Sequence, residues 1–469
     1  MTQTPMMGED LLKLDAVDLN EAYRAGRTDP VDVAERTQAR LDAVEPVLNA
    51  YAARNPKLMD DAAASAARWQ AGTPVGPLDG VPVVIKDNLA AAGLPAAWGN
   101  AELARRTTLS DEAPVARLRA AGALFVGKAN TPEFAVEGYT GNATFGVTRN
   151  PFNPALTPGG SSGGVVAALA AGSAVIGLGT DGGGSIRRPA AYCGLAGLKP
   201  GIGHVARAGG LAQVLLDFEV AGPIARSVRD LVLADSVLAG PDIRDPRTMA
   251  RPAPGWNDPI RVLFAPGLGD APVDSEIAAA ARAAADKLAG IGCAVREGPL
   301  PFDLTRLNEV WTQIGEIGLA RYFAVDPAVG AAAAPKYREM AARGAAAHAT
   351  ELWEILDLVD DLRRAAARTF AETDVILTPS CAAMPWPADE AFPPRIAGVD
   401  VGPRGHAVFT GWVNAAGLPA LQLPAGHAAS GLPIGVQLVG GMGAERRLLD
   451  LGLAYEAVQG GFVWPSRIA

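Results

Sequence analysis

Histidine is scarce in this chain, with only His204, His348, His406 and His427 among 469 residues, and none stands in a local pattern with an acid that suggests a Ser-His-Asp arrangement. Any serine chemistry therefore needs another base. Cysteine is scarcer still: Cys193, Cys293 and Cys381 are odd in number and far apart. That excludes a disulfide framework and a metal-knuckle spacing, and it fits free thiols in a reducing cytosol. Charged residues make up only 19% of the chain, and 41 Lys plus Arg against 50 Asp plus Glu give a formal charge of -9. No Lys/Arg cluster is present to attract a nucleic acid or an anionic membrane, so neither is an expected partner and a small or neutral one is. The opening MTQTPMMGED lacks the basic start and apolar core of a secretory signal. Export is disfavoured and a cytoplasmic location is expected.

What the chain has in abundance is apolar sequence and glycine: 49% of residues are hydrophobic, and 54 Gly and 37 Pro are scattered rather than clustered. This composition belongs to a compact, turn-rich globular protein. The length allows one large α/β domain or, on average domain size, about three. The stretch 157–180 is uncharged for long enough to imitate a membrane helix, but its Gly and Ser content and polar flanks read as a buried helix followed by a buried strand.

Asp29-Pro30 opens an amphipathic helix with Val33, Ala34, Leu41 and Val44 on its apolar side. Residues 81–85 predict a buried strand ending at Lys86, and residues 121–126, closed by Gly127-Lys128, predict another. Ser161 or Ser162 caps a helix over 165–171 with Gly172 as its stop; a strand over 174–178 and a strand-to-helix turn over 181–185 follow. Helical patterns over 274–288 and 362–372, with strands over 374–377 and 435–439, complete the pattern. Strands alternating with helices predict an α/β fold built on a mixed sheet. The Pro- and Asp-rich interval 241–259 reads as a linker or a surface excursion.

The most informative stretch is 159–190, where serines lie in two Gly-dense turns at the ends of an apolar helix-then-strand pattern. Glycine belongs where backbone N–H groups must approach a ligand closely. Ser185 follows Gly182-Gly183-Gly184 at the head of a helix, where successive N–H groups and the helix dipole can converge on one oxygen anion. A tight turn with a capping serine fits the same residues. With no suitable histidine, lysine is the candidate base. Lys86, at the end of an apolar strand, lies where desolvation disfavours the ammonium and moves the amine toward general-base range, although a lysine snorkelling from a strand end fits too.

Lys86, the run Gly159-Gly160-Ser161-Ser162-Gly163-Gly164 and the run Gly179-Thr180-Asp181-Gly182-Gly183-Gly184-Ser185-Ile186-Arg187 resemble the amidase signature family of serine hydrolases. The blocks at 127–134, 142–146, 150–153, 194–200 and 414–426 resemble it in order, as do the spacings among Lys86, Ser161 and Ser185; resemblance is thin from 201 to 374. It implies a single domain over 1–469, with an N-terminal helical part (1–78), a catalytic core (79–230), a variable helical pocket part (241–372) and a C-terminal part completing the sheet (373–469). The implied fold is a mixed sheet covered by helices on both faces. Ser185 would be the nucleophile, Ser161 an intermediate serine held by a cis peptide after Gly160, and Lys86 the neutral base. The backbone N–H groups of Gly182, Gly183, Gly184 and Ser185 would form the oxyanion hole; Ala135, Gly138, Tyr139 and Ser162 would face the substrate. Asp181 and Arg187 would make structural hydrogen bonds, and Trp311, Trp386 and Trp412 are candidates for an aromatic acyl pocket.

The implied activity is hydrolysis of linear carboxylic amides, with aryl amides, esters and carbamates as further substrates, and no cofactor or metal. A homodimer is left open. Departures bear on the substrate: Gly182 replaces a usually larger residue, Gly201-Ile202-Gly203-His204 replaces the usual run after Lys199-Pro200, and Arg188 stands where the glutamine-hydrolysing subunits of tRNA-dependent amidotransferases commonly carry Gln. The last two favour a stand-alone hydrolase over such a subunit, which remains the alternative. Outside the family, 159–163 fits the G-x-S-x-G elbow of an α/β-hydrolase esterase, but its preceding strand is poor. The segments 177–182 and 201–206 fit dinucleotide-binding glycine patterns but lack the long helix and ribose-binding acid.

Overall fold

The structure is a computed structural model that describes residues 11–248 and 252–468. Among these, eleven strands form one sheet. In chain order they are β1 (Tyr51–Arg54), β2 (Pro82–Lys86), β3 (Leu124–Ala129), β4 (Ile176–Asp181), β5 (Ala196–Lys199) and β6 (Val220–Ala225). There follow β7 (Arg261–Phe264), β8 (Ala294–Glu297), β9 (Val375–Pro379), β10 (Ala420–His427) and β11 (Pro433–Gly440). Across the sheet the order is β1-β3-β2-β4-β6-β5-β10-β11-β9-β7-β8. The pairs β3–β2, β2–β4, β9–β7 and β7–β8 are parallel, whereas β1–β3, β4–β6, β6–β5, β5–β10, β10–β11 and β11–β9 are antiparallel. The sheet is mixed, as expected.

Alternate residues of one strand feed cores on opposite faces, which is the period-2 signature of a sheet covered on both sides. Val83 and Ile85 join one core with Leu19, Val115 and Leu118, while Val84 joins another with Leu41, Val165 and Leu169. At the far end Val375 and Leu377 pack with Ala281 and Leu288, and Ile376 packs with Ile355 and Leu362. The uncharged stretch is the fully buried helix Gly163–Ala170 running into β4. No helix among the described residues is long and apolar enough to cross a membrane.

Three expectations shift. The strand predicted over 121–126 begins at Leu124 and runs to Ala129, because Gly122 (φ +89°) ends the helix Ala113–Ala120 and its turn takes the preceding residues. The strand predicted over 174–178 likewise starts later and extends through Thr180 to Asp181. The parts expected to be helical also supply strands: β1 from the N-terminal part, β7 and β8 from the pocket part. Within 241–259, the described residues make a surface excursion tied back by Arg117, which donates to the carbonyls of Gly240 and Pro241.

This layout positions the site. Strands β2 and β4 are parallel neighbours, so Lys86 and Asp181, the last residue of each, emerge at the same edge of the sheet. Crevices beyond the carboxyl ends of parallel strands are where α/β folds place ligands.

Candidate active site

Lys86 is completely buried. Its Nζ lies 2.7 Å from Ser161 Oγ, 2.9 Å from Thr180 Oγ1 and 3.3 Å from the Thr180 carbonyl oxygen. A neutral amine has two hydrogens to donate and one lone pair to offer. In the neutral form, donation of both hydrogens to the Thr180 hydroxyl and carbonyl would leave the lone pair for Ser161. Burial pushes the Lys86 amine down to about 7, against the opposing charges of Glu219 and Asp181. Behind it runs a polar chain: Asn88 Nδ2 donates to Thr180 Oγ1 at 3.0 Å and to Glu219 Oε1 at 3.4 Å, and Arg207 pairs with Glu219 and Glu112.

Ser161 sits in the first glycine turn, and the Gly160–Ser161 peptide is cis. Ser162 stands at the N-cap position of the following helix, as one of the two expected residues, but it makes no side-chain capping hydrogen bond because both serine hydroxyls are directed elsewhere. Ser161 Oγ faces Lys86, and Ser162 Oγ donates to the Thr180 carbonyl at 3.3 Å. The turn is gripped from outside: Thr131 Oγ1 donates to the Ser161 carbonyl, Thr140 Oγ1 donates to the Gly159 carbonyl, and the Tyr139 backbone lies so close that a Cβ at Gly160 would collide with its carbonyl oxygen. The Ser162 N–H donates to the Ser185 carbonyl at 3.2 Å, which joins the two serine turns directly.

The second turn is organised by Asp181. Its buried carboxylate accepts from the N–H of Gly184 at 2.6 Å and of Ile186 at 3.0 Å, from Arg187 Nε and Nη2, and from Asn414 Nδ2. The Gly183 carbonyl on the opposite side accepts from Arg188 Nη1 and Thr410 Oγ1. Alternate peptides therefore point opposite ways. The N–H groups of Gly184 and Ile186 face Asp181, while those of Gly183 and Ser185 have no hydrogen-bond partner among the described residues. Gly184 thus departs from the expected oxyanion set, since its N–H is already committed. Its φ of +115°, together with the collision a Cβ would make with Thr410 Oγ1, explains why glycine stands there.

Burial alone would raise the Asp181 carboxyl, but the Arg187 charge and hydrogen bonds outweigh it and hold the group far below the usual carboxylate range. Its stabilising contribution is full above the unfolded value near ~3.9 and is lost only as pH falls through the much lower folded value. Breaking a buried pair by removing one charge typically costs about 3–5 kcal/mol. Asp181→Asn should lower stability by about that amount in urea unfolding; an unchanged midpoint would show the turn is held by other contacts.

Ser185, only 7% exposed, faces a cavity of about 80 Å³. Its hydroxyl makes no hydrogen bond among the described residues, so the step from Ser185 to Ser161 is not formed in this conformation. Of the expected substrate-facing residues, Ala135 lines the cavity. Gly138, Tyr139 and Ser162 do not. Gly138 packs on the His406 ring, Tyr139 braces Gly160 and meets Lys336, and Ser162 is bound to Thr180. Of the tryptophans only Trp311 lines the cavity; Trp386 packs on Tyr192 and His406, and Trp412 packs on Phe302.

Sequence reasoning missed Asn88, Glu219 and Arg404. Asn88 had one usable signal, two residues beyond the candidate lysine, whereas Glu219 and Arg404 are single charged residues in stretches without a motif.

Residues 32–449 match the family model described as Amidase. The chain is 34% identical to a glutamyl-tRNA(Gln) amidotransferase subunit of Symbiobacterium thermophilum, over 95% of this chain and 96% of that protein. Among solved structures it superposes on a bacterial aryl acylamidase of the amidase signature enzymes with a TM-score of 0.87, at 27% identity over 95% of this chain and 96% of that one. It also superposes on a 6-aminohexanoate cyclic dimer hydrolase complexed with substrate with a TM-score of 0.85, at 29% identity over 98% and 100% of the two chains.

Proposed function

Because the chain belongs to the amidase family, whose enzymes hydrolyse carbon–nitrogen bonds, we propose that it cleaves a carboxamide through an acyl-enzyme on Ser185, with Ser161 and Lys86 as the proton relay. The observation that carries this reading is the fully buried Lys86 amine, 2.7 Å from Ser161 Oγ and in contact with both the hydroxyl and the carbonyl oxygen of Thr180. Ser185 Oγ turns onto Ser161, gives up its proton and attacks the amide carbon. Ser161 passes its own proton to Lys86. The oxyanion is held by the free N–H groups of Gly183 and Ser185, with Gly182 at the cavity wall, each donor being worth about 3–4 kcal/mol in comparable sites. The relay then reverses to protonate the leaving nitrogen, and water entering by the same route releases the acid.

A second reading is favoured by the curated relatives, which are amidotransferase subunits matched along nearly their whole length. In it the amide is glutamine and the ammonia passes to a partner protein. The relatives support this reading more than the stand-alone hydrolase expected from Arg188, while the solved neighbours include hydrolases of other amides. Ammonia release from glutamine and from simple carboxamides, measured with the chain alone and with added amidotransferase partner subunits, separates the two. Turnover of carboxamides alone favours the hydrolase, and turnover that appears only with partners favours the amidotransferase role.

The relay also dictates a pH profile. Lys86 works only when neutral, so kcat/KM should rise with pH through about 7 and then level off. A profile flat across the neutral range would remove Lys86 from the role of base.

A further inference from the structure

The cavity beside Ser185 is lined by two arginines, Arg188 and Arg404, and by one carboxylate, Glu137, which is engaged by Lys336. Arg188 is 5% exposed, and its Nη1 and Nη2 donate to the carbonyls of Gly183 and Gly160. Its Nε is buried with no partner among the described residues. Arg404, from the loop before Thr410, lines the same cavity, and its guanidinium makes no hydrogen bond or ion pair among the described residues. The two guanidinium groups flank the catalytic turn: a Cβ placed on Gly184 would lie 2.9 Å from Arg188 Nη1, and one on Gly183 would lie 3.9 Å from Arg404 Nη2.

The acids nearby are spoken for. Glu137 at the cavity wall pairs with Lys336 at 2.8 Å, and Asp181 is held by Arg187. Burial and the Arg188 charge push the Arg404 guanidinium down to about 10, although the residue as a whole remains solvent-exposed. Like charges crowded together in a protein of net charge -9 are an arrangement that an anion relieves. Guanidinium groups match a carboxylate in geometry and charge.

We infer that the amide cleaved here carries a carboxylate, held by Arg188 and Arg404 a few bonds from the scissile carbonyl. This rests on the Ser185 reading above and deepens it. The cavity, about 80 Å³, is small beside the ~300–1,000 Å³ usual for ligand pockets, so the substrate class is a monoamide of a short dicarboxylic acid. The apolar wall formed by Trp311, Leu215 and Met340 suits the methylene chain between the two ends.

The test compares kcat/KM for succinamate and for butyramide, which has a methyl group where succinamate has its carboxylate. The enzyme should prefer succinamate on the order of ten- to a hundredfold, the range for hydrogen bonds to a charged group. In Arg404→Met that ratio should collapse toward one, with Arg404→Lys restoring part of it. Arg404 is the better target because Arg188 also holds backbone carbonyls. Equal cleavage of the two amides, or an Arg404→Met enzyme with an unchanged ratio, overturns the inference while leaving the Ser185 reading intact. Calorimetric titration of succinate into the Ser185→Ala protein tests the clamp without turnover. Binding that Arg404→Met weakens supports it, and absent or unaltered binding refutes it.

Discussion

Ser185→Ala should abolish amide hydrolysis, with a fall in kcat of about four to six orders of magnitude, the scale seen when a serine hydrolase loses its nucleophile. The fold should survive. Ser185 contributes its backbone carbonyl to the link with Ser162, and that carbonyl is retained in alanine, while its hydroxyl makes no hydrogen bond among the described residues that the change would break. Circular dichroism and urea unfolding should therefore match the parent. What alanine keeps is the oxyanion site, because the N–H groups of residues 183 and 185 belong to the main chain. Substrate or product acids should still bind to the inactive protein, and no acyl adduct should be trapped on it by mass spectrometry. Full activity in this variant would end the assignment of the nucleophile.

Lys86→Ala should lower kcat/KM by about two to four orders of magnitude, the usual contribution of a positioned general base. The residual rate should climb steadily with pH, since hydroxide or water must then take the proton, and the inflection at about 7 expected for the parent should vanish. This change in shape separates a proton-transfer role from a packing role, because a variant that merely loosened the site would lose rate at every pH and keep the inflection. Lys86→Arg supplies a further contrast. A guanidinium stays protonated and offers no lone pair, so it should fail to rescue although it restores the bulk of the side chain.

The core of the site was legible in the sequence for local reasons. Glycine turns, an apolar strand ending in lysine, and serines beside them are features of a few consecutive residues, and Lys86, Ser161 and Thr180 do meet at one edge of the sheet. What stayed illegible depends on pairing between distant segments. Nothing near Gly184 in sequence says that its N–H is taken, because that follows from how Asp181 turns back on its own loop under the grip of Arg187 and Asn414. Tyr139 read as a pocket residue, yet its main chain supports the first serine turn. Strand boundaries moved for a similar reason: in 121–126 apolar content alone cannot distinguish the end of one helix and its glycine turn from the start of β3. Arg404 lies in an otherwise unremarked loop and acquires meaning only once that loop folds over the cavity.

The ties around Asp181 also fix when the enzyme can first exist. Asp181 is held by Asn414, 233 residues further along, and Arg187 by Gln437, 250 residues further. A ribosome that has just released the two serines and the lysine has therefore produced the groups proposed to react but not the residues that hold the second serine turn. Polypeptides ending before Asn414 should be inert toward amides, because they lack the residues that hold Asp181 and Arg187 in place.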